Sequence, residues 1–236
     1  MSTFILIHGA GDVGWSWHLV ARELVGRGHE VFAPDLPGDD ESLTFDDYAD
    51  AVLSEVGAVR APIVVGHSMG AFTAPIVAQR SGAAALVLLA GMVPKPGEAP
   101  DDWWAHTGCG EAVAAQAALD GGLTGAEDPF VSFYHDVPRA LAEEAMSHDR
   151  PHPSAKAMAS PWPLAAWPDV PTRFIVCTED RFFPPAFLRA LARERLGVVA
   201  DEIRGSHCVP LSRPVELAAL LHRYAGEAES ARLSAD

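Results

Sequence analysis

The chain has 236 residues and a formal net charge of −15 at pH 7, and 49% of its residues are hydrophobic. This length accommodates one α/β domain with an insertion, and the apolar content can fill a sizeable core. Because a surface that binds phosphates would be basic, the acidic balance excludes the usual nucleic-acid-binding proteins. Only two of the 17 basic residues are lysines, which is typical of a GC-rich bacterial genome.

Three cysteines, Cys109, Cys177 and Cys208, have no spacing that would bind a metal ion, and their odd number favours free thiols. Met1-Ser2 leads directly into an apolar segment without a signal-like stretch, so we expect a cytoplasmic protein that enters no membrane. We expect no cofactor, because the sequence contains no phosphate loop and no dinucleotide fingerprint. We also expect no metal ion, because the histidines outside the motifs described below lack paired spacing with a carboxylate. These are His18, His29, His106, His135, His148, His152 and His222.

Strand-like apolar runs alternate with helix-like segments, which predicts a mainly parallel six-stranded sheet with helices on both faces. The predicted strands lie near residues 3–7, 30–34, 61–66, 84–90, 172–178 and 198–203. The predicted helices between them cover residues 15–28, 44–59, 69–81, 185–196 and 213–226.

The first predicted strand runs into His8-Gly9-Ala10-Gly11, a loop that can aim backbone N–H groups, and we expect His8 to order it. The third runs into Gly66-His67-Ser68-Met69-Gly70, and a helix of small residues follows. Such a turn strains the backbone at its apex and packs its flanks closely, so glycine is needed at both ends. Ser68 at the apex is the candidate nucleophile, and we expect His67 to point away from the substrate.

The alternation of strands and helices breaks between Gly91 and Pro168, where prolines separate short helices such as 111–119 and 138–147. This stretch is too long for an ordinary loop, so we predict a helical cap at residues 92–168, between core residues 1–91 and 169–236. Its candidate pocket residues, each of which also fits ordinary core packing, are Trp103, Trp104, Phe130, Phe133, Tyr134, Met158 and Trp162.

Two carboxylates, Glu179 and Asp180, follow the fifth predicted strand, where an acid that orients a base would lie. Adjacent side chains point in different directions, so only one can face the site, and the pattern favours Asp180. His207 follows the last predicted strand in a loop and is the candidate base. Cys208 beside it either tunes the site or fills space, and the second interpretation is favoured. The order Ser68, acid, histidine matches one of the known serine-hydrolase arrangements.

These motifs and their order resemble the α/β-hydrolase superfamily over nearly the whole chain. More narrowly, residues 4–11, 14–17, 66–70 and 177–180 are similar to the plant methylesterase and hydroxynitrile lyase branch and its bacterial relatives. The resemblance implies an α/β-hydrolase fold with an inserted helical cap, and it implies that the aspartate of the Thr-Glu-Asp run is the acid. In this fold the N–H groups of Met69 and Ala10 would form the oxyanion hole.

The branch contains esterases and cyanohydrin lyases, and two positions favour the esterases. Lyases similar to the rubber-tree type have lysine after the catalytic histidine and threonine after the first-loop histidine, where this chain has Cys208 and Gly9. A second lyase type has asparagine at the position of Gly9. Without an ammonium at position 208, nothing obvious stabilises a cyanide leaving group.

The sequence therefore predicts a serine hydrolase that cleaves a carboxylic ester of a small apolar substrate through an acyl-enzyme. The expected partner is a small-molecule ester or lactone, with no nucleic acid and no membrane, and a homodimer stays open. One alternative is a tailoring enzyme of secondary metabolism that acts as a lactonase, thioesterase, lyase or cyclase. Another is a receptor-like protein that binds a ligand and turns it over slowly.

Overall fold

The computed structural model describes residues 1–151 and 153–234. These residues contain one sheet of six parallel strands in the order β2-β1-β3-β4-β5-β6, which confirms the predicted sheet. The strands are β1 (Thr3–Ile7), β2 (Glu30–Phe32), β3 (Ile63–His67), β4 (Ala85–Leu89), β5 (Thr172–Cys177) and β6 (Asp201–Ile203). His152, for which we expect no metal ion, lies outside the described residues.

The first helices of the chain follow a short 3-10 turn at Gly14–Trp17. They are α1 (His18–Gly26), α2 (Phe45–Val56) and α3 (Gly70–Ser81). Between β4 and β5 lie α4 (Pro100–Thr107), α5 (Cys109–Asp120), α6 (Pro129–Ser132), α7 (Arg139–Ser147) and α8 (Ala155–Ala159). After β5 come α9 (Pro185–Leu196), α10 (Val209–Ser212) and α11 (Pro214–Leu233).

The direction in which the strands are added reverses between β1 and β3. From β1 the chain moves outward to β2, then crosses back to β3 and continues in the other direction to β6. Since such crossovers are right-handed, the two directions place their helices on opposite faces, with α1 packed on α11 and α2 packed on α3. The loops after β1 and β3 therefore diverge at the carboxyl edge of the sheet and leave a crevice there.

Several boundaries differ from the predicted ones. The strand predicted at 30–34 ends at Phe32, and the helix predicted at 213–226 continues to Leu233. Helices α4, α6, α8 and α10 were not predicted. Pro100 and Pro129 stand in the first turn of α4 and α6, where a missing N–H costs nothing, so prolines that read as breaks are in fact helix starts. In the described part of the chain, no helix is long and apolar enough to cross a bilayer.

Candidate active site

Ser68 lies in the sharp turn between β3 and α3, at the carboxyl edge of the sheet. Its backbone φ of 52° is in the left-handed region, which a residue with a side chain adopts only where its surroundings enforce it. The flanking glycines make the turn possible. A Cβ on Gly66 would lie 2.6 Å from the Ala74 Cβ, and one on Gly70 would lie 2.6 Å from the His8 carbonyl oxygen. The turn thereby holds the serine at the edge of a cavity.

Asp180 and His207 come from the loops after β5 and β6, and they form a buried hydrogen-bonded pair. Asp180 Oδ2 accepts a hydrogen bond from His207 Nδ1 at 2.8 Å, and each residue is 3% exposed. The other oxygen, Asp180 Oδ1, accepts the backbone N–H groups of Phe182 and Phe183 at 2.8 and 2.9 Å. Because a carboxylate only accepts, His207 Nδ1 carries the proton and Nε2 keeps a lone pair that can take one.

Glu179, the alternative acid, is directed to the surface instead. Its Oε1 lies 2.8 Å from Nε of Arg204, in an ion pair between exposed side chains. Its backbone carbonyl accepts a hydrogen bond from His135 Nε2 at 2.9 Å. Of the two adjacent carboxylates, it is Asp180 that contacts His207.

The sequence predicts that the backbone N–H groups of Ala10 and Met69 form an oxyanion hole. Within residues 1–151 and 153–234, neither the Ala10 N–H nor the Met69 N–H donates a hydrogen bond to a protein acceptor. Ala10 lines the cavity, and Met69 directly follows the serine. Unpaired N–H groups beside a cavity are what a developing negative charge requires.

His8 fixes the orientation of the peptide group that carries the Ala10 N–H. His8 Nε2 accepts the Leu36 N–H at 3.0 Å, so its proton is on Nδ1, which donates to the Gly9 carbonyl at 2.8 Å. The carbonyl of Gly9 and the N–H of Ala10 belong to one planar trans peptide and point in opposite directions. Burial lowers the pKa of His8 to about 4, so the ring stays neutral and keeps this role at physiological pH.

His67, which precedes the nucleophile, supports the loop of the candidate base. Its Nε2 donates to the His207 carbonyl oxygen at 3.0 Å, and the two rings are 4.8 Å apart between centroids. Burial holds the pKa of His67 well below its ordinary value, so the ring is neutral. His67 also borders the cavity, while its ring is turned to the backbone of the His207 loop.

A cavity of about 250 Å³ adjoins Ser68 and His207. Two of the candidate pocket residues, Phe133 and Tyr134, line it. Its other walls are formed by Gly9, Ala10, Gly11, Asp12, His67, Pro129, Met146, Asp149, Phe182 and Cys208. A larger groove of about 450 Å³ lies at the amino ends of the strands, far from these residues, and contains none of them.

The other five candidate pocket residues do not line the cavity in the described part of the chain. Trp103 and Trp162 are buried in the main core, where their indole N–H groups donate to backbone carbonyls at 3.0 and 2.8 Å. Trp104 and Met158 pack against the same core, and Phe130 packs below an arginine side chain. An aromatic ring fills a core as well as it forms a pocket wall, so composition alone does not separate the two.

The structure also brings residues to the cavity that the sequence analysis did not single out. Phe182 lies two positions after Asp180, so its closeness to the candidate acid along the chain could have indicated that it lines the cavity. Asp12 follows the first loop, and its proximity to Ala10 along the chain was a weaker signal. Asp149 follows α7, and no local pattern reveals that the end of this helix reaches the cavity.

A side chain of the cap segment, residues 92–168, supports the loop of the candidate base. Asp136 Oδ2 accepts the Ser206 N–H at 3.2 Å and lies 3.6 Å from Nη2 of Arg213. Ser206 Oγ in turn accepts the Cys208 N–H at 3.2 Å. These contacts hold the backbone on both sides of His207.

Cys208 occupies the position where the resemblance places a lysine in some lyases. Burial raises the pKa of its thiol well above the ordinary value, so the group is a neutral S–H. Cys208 borders the cavity, and its side chain there is uncharged.

The model of the alpha/beta hydrolase family matches residues 4–220. Salicylic acid-binding protein 2 of Nicotiana tabacum is 27% identical, over 94% of this chain and 97% of its own. A presumptive methylesterase of Arabidopsis thaliana is 26% identical, over 92% of this chain and 95% of its own. Among solved structures, a pyrethroid hydrolase of Sphingobium faniae JZ-2 has a TM-score of 0.73 at 24% identity, and the match covers 95% of this chain and 97% of that one. The resemblance seen in the sequence motifs is thus confirmed, and the chain belongs to the alpha/beta hydrolase family.

Proposed function

We propose that this protein is a carboxylic ester hydrolase in which Ser68 is the nucleophile, His207 the base and Asp180 the acid. The observation that carries the proposal is the 2.8 Å hydrogen bond between Asp180 and His207 beside the cavity that Ser68 borders. The methylesterase name of one relative and the hydrolase name of a structural neighbour agree with it.

The proposed reaction uses these groups in turn. His207 Nε2 takes the proton of Ser68 as its Oγ attacks the ester carbonyl, and the oxyanion is stabilised by the N–H groups of Ala10 and Met69. The ester C–O bond then breaks, and the imidazolium returns the proton to the leaving alcohol. Water activated by the same imidazole hydrolyses the acyl-enzyme. Asp180 stabilises the imidazolium in both halves of the reaction.

The cap segment completes the site in this proposal. Phe133 and Tyr134 supply an apolar wall opposite the sheet, which excludes water from the reacting carbonyl and limits the size of the substrate. The volume of about 250 Å³ suits a small ester or lactone.

The neutral Cys208 thiol argues against cyanohydrin cleavage by the lysine mechanism. A cyanide leaving group needs a positive charge nearby, and Cys208 supplies none. Hydrolysis needs no such charge, since the leaving alcohol is protonated by His207.

The test is turnover of aryl acetate, butyrate and octanoate esters, a methyl ester and a lactone by the wild type and by Ser68→Ala. We expect Ser68→Ala to lower kcat/KM by about 10⁴-fold or more. Ser230→Ala, an exposed serine on α11, is the matched control and should retain full activity. Unchanged turnover in Ser68→Ala would refute the proposal. A folded wild type without turnover of any ester would favour a receptor-like role.

We also propose a cytoplasmic location. In the described structure the thiols of Cys109, Cys177 and Cys208 are all buried and unpaired, as they would be in a reducing compartment.

A further inference from the structure

Two aspartates contribute to the wall of the cavity beside Ser68. Asp12 lies in the loop after β1, where it is partly buried, and Asp149 lies after α7 at the exposed mouth. The described residues that line this cavity include no lysine and no arginine. The cavity therefore has two potential negative charges and no fixed positive charge.

Neither aspartate takes part in an ion pair within the described residues. Asp12 Oδ1 accepts the Val13 N–H at 3.1 Å, which fixes the carboxylate without neutralising it. The nearest basic side chain along the chain, Arg150, is directed to Asp35, with 3.5 Å between Nη1 and Oδ2. The arginine that could have compensated Asp149 is thus engaged elsewhere.

A carboxylate without a counter-charge is poorly solvated at this position. Burial raises the pKa of Asp12 to about 6 and also raises the pKa of Asp149, because each negative charge is less well solvated than in water. During ester cleavage a second negative charge develops at the oxyanion, close to the Asp12 loop. With a neutral substrate the two charges repel each other, whereas a cation on the substrate offsets both.

The other walls of the cavity also suit a cationic group on the substrate. Phe133, Tyr134 and Phe182 line the cavity, and an aromatic side chain can attract a desolvated cation over the face of its ring. The formal net charge of −15 gives the whole protein a field that draws cations toward it.

We propose that the substrate is an ester that carries a positively charged nitrogen, which Asp12 and Asp149 bind against the aromatic wall while Ser68 attacks the carbonyl. This inference rests on the proposed ester hydrolysis and names its substrate class. It replaces the expectation of a purely apolar substrate.

The experiment compares two acetates of the same shape, 2-(trimethylammonio)ethyl acetate and its uncharged isostere 3,3-dimethylbutyl acetate, at pH 8. The quaternary nitrogen keeps its charge at every pH, so any pH effect belongs to the protein. We expect the wild type to prefer the cationic ester by about 10- to 100-fold in kcat/KM, which matches one partly buried charge contact with an aromatic contribution. Asp12→Asn should remove about tenfold of this preference and Asp149→Asn about threefold, and kcat/KM for the neutral ester should rise in Asp12→Asn because the oxyanion no longer develops near a carboxylate.

Asp169→Asn is the matched control. Asp169 is exposed and precedes β5, so it lies at the opposite edge of the sheet, and its replacement makes the net charge less negative by the same amount without touching the cavity. A loss of preference in Asp169→Asn as large as in Asp12→Asn would reduce the effect to general charge attraction and overturn the inference.

Binding of benzyltrimethylammonium, measured by calorimetry on the wild type and Asp12→Asn, gives a readout that needs no turnover. Tight binding that Asp12→Asn weakens, without hydrolysis of any ester, would support the cation site and refute the proposed function. Serine-dependent hydrolysis of both acetates with equal kcat/KM would support the proposed function and refute the cation site. If the cation is neither bound nor preferred, the inference is wrong.

Discussion

Asp136 and Ser206 are joined by one hydrogen bond, 3.2 Å from the Ser206 N–H to Asp136 Oδ2, across the boundary between the cap segment and the core. Ser206 directly precedes His207, so the position of the candidate base depends on a residue that lies 70 positions before Ser206 in the chain. Residues 92–168 therefore contribute to the support of the candidate base as well as to the wall of the cavity.

We expect Asp136→Ala to lower kcat by about tenfold with little change in KM, because losing one hydrogen bond of this kind loosens His207 without altering the cavity walls. Asp136→Asn keeps an oxygen acceptor for the Ser206 N–H and should restore most of the activity. Glu127→Ala, an exposed change in the same segment, is the control for steady-state kinetics. Equal losses in the alanine and asparagine variants of Asp136 would show that its charge matters and not the hydrogen bond.

The adjacent carboxylates Asp180 and Glu179 provide a matched pair for the assignment of the acid. Asp180→Asn should reduce kcat by roughly 10³- to 10⁴-fold, because the amide no longer favours the productive tautomer of the imidazole. Glu179→Gln removes only an exposed ion pair with Arg204 and should leave kcat within about twofold. A large loss in Glu179→Gln with a small one in Asp180→Asn would reverse the assignment.

Gly9 lies so close to the nucleophile that a side chain there must displace it. A Cβ on Gly9 would lie 3.0 Å from the Ser68 Cβ and 3.6 Å from Ser68 Oγ. We expect Gly9→Ala to lower kcat by about 10- to 100-fold, since small displacements of reacting groups are costly. Gly26→Ala, where the added methyl meets nothing within 4 Å, is the control and should not change kcat. Full activity of Gly9→Ala would contradict the geometry of the loop.

The carboxylate of Asp12 should make the protein less stable as the pH rises through the acidic range. Burial raises its pKa to about 6 in the folded protein, whereas an aspartate in the unfolded chain titrates near about 4. Between these values the folded state holds a proton that the unfolded state has released, so the free energy of unfolding falls as the pH rises from about 4 to about 6. The free energy of unfolding of Asp12→Asn should therefore exceed that of the wild type by about 1–2 kcal/mol at pH 7.5. At pH 4 the two proteins should differ little. Urea unfolding at both pH values measures this, and an equal gain at both would exclude ionisation as its cause.

Glu98 and Arg195 form a buried ion pair between the cap segment and α9. Glu98 Oε2 lies 2.5 Å from Arg195 Nη1, and the two side chains are 3% and 2% exposed. Glu98→Gln leaves a buried guanidinium without its counter-charge, so we expect a loss of about 3 kcal/mol or more in the free energy of unfolding. Glu202→Gln breaks an exposed pair with Arg189 and should cost less than about 1 kcal/mol in the same urea titration. Similar losses in the two variants would contradict this view of the buried pair.

Local patterns predicted the sheet, which is confirmed, and they are the source of the proposal for the nucleophile, base and acid. The strand that ends at His67 is entirely buried, so the residues before His67 are apolar or small enough to be recognised in the sequence. The two glycines around Ser68 are required by contacts below 3 Å, so the sequence shows glycine at both positions. Asp180 and His207 follow strands, and parallel strands bring their carboxyl ends to one edge of the sheet.

The walls of the cavity could not be predicted in the same way. Trp103 and Phe133 are both aromatic residues of the cap segment, yet the first is buried in the core and the second lines the cavity. Their difference depends on how short helices pack on the sheet, which is a matter of tertiary contacts and not of local periodicity. The hydrogen bond from Ser206 to Asp136 also depends on tertiary contacts, because neither residue type predicts it.

The register of β4 on β5 has a consequence for how the site forms. Leu86 pairs with Thr172, so the two halves of the sheet join only after the whole segment between them has been closed into a loop. Closing a long loop costs entropy, and contacts between distant parts of a chain form slowly. Ser68 belongs to the half that precedes this segment, and the candidate acid and base, Asp180 and His207, belong to the half that follows it. In a newly made chain we therefore expect Ser68 to lack its candidate base until the late stages of folding.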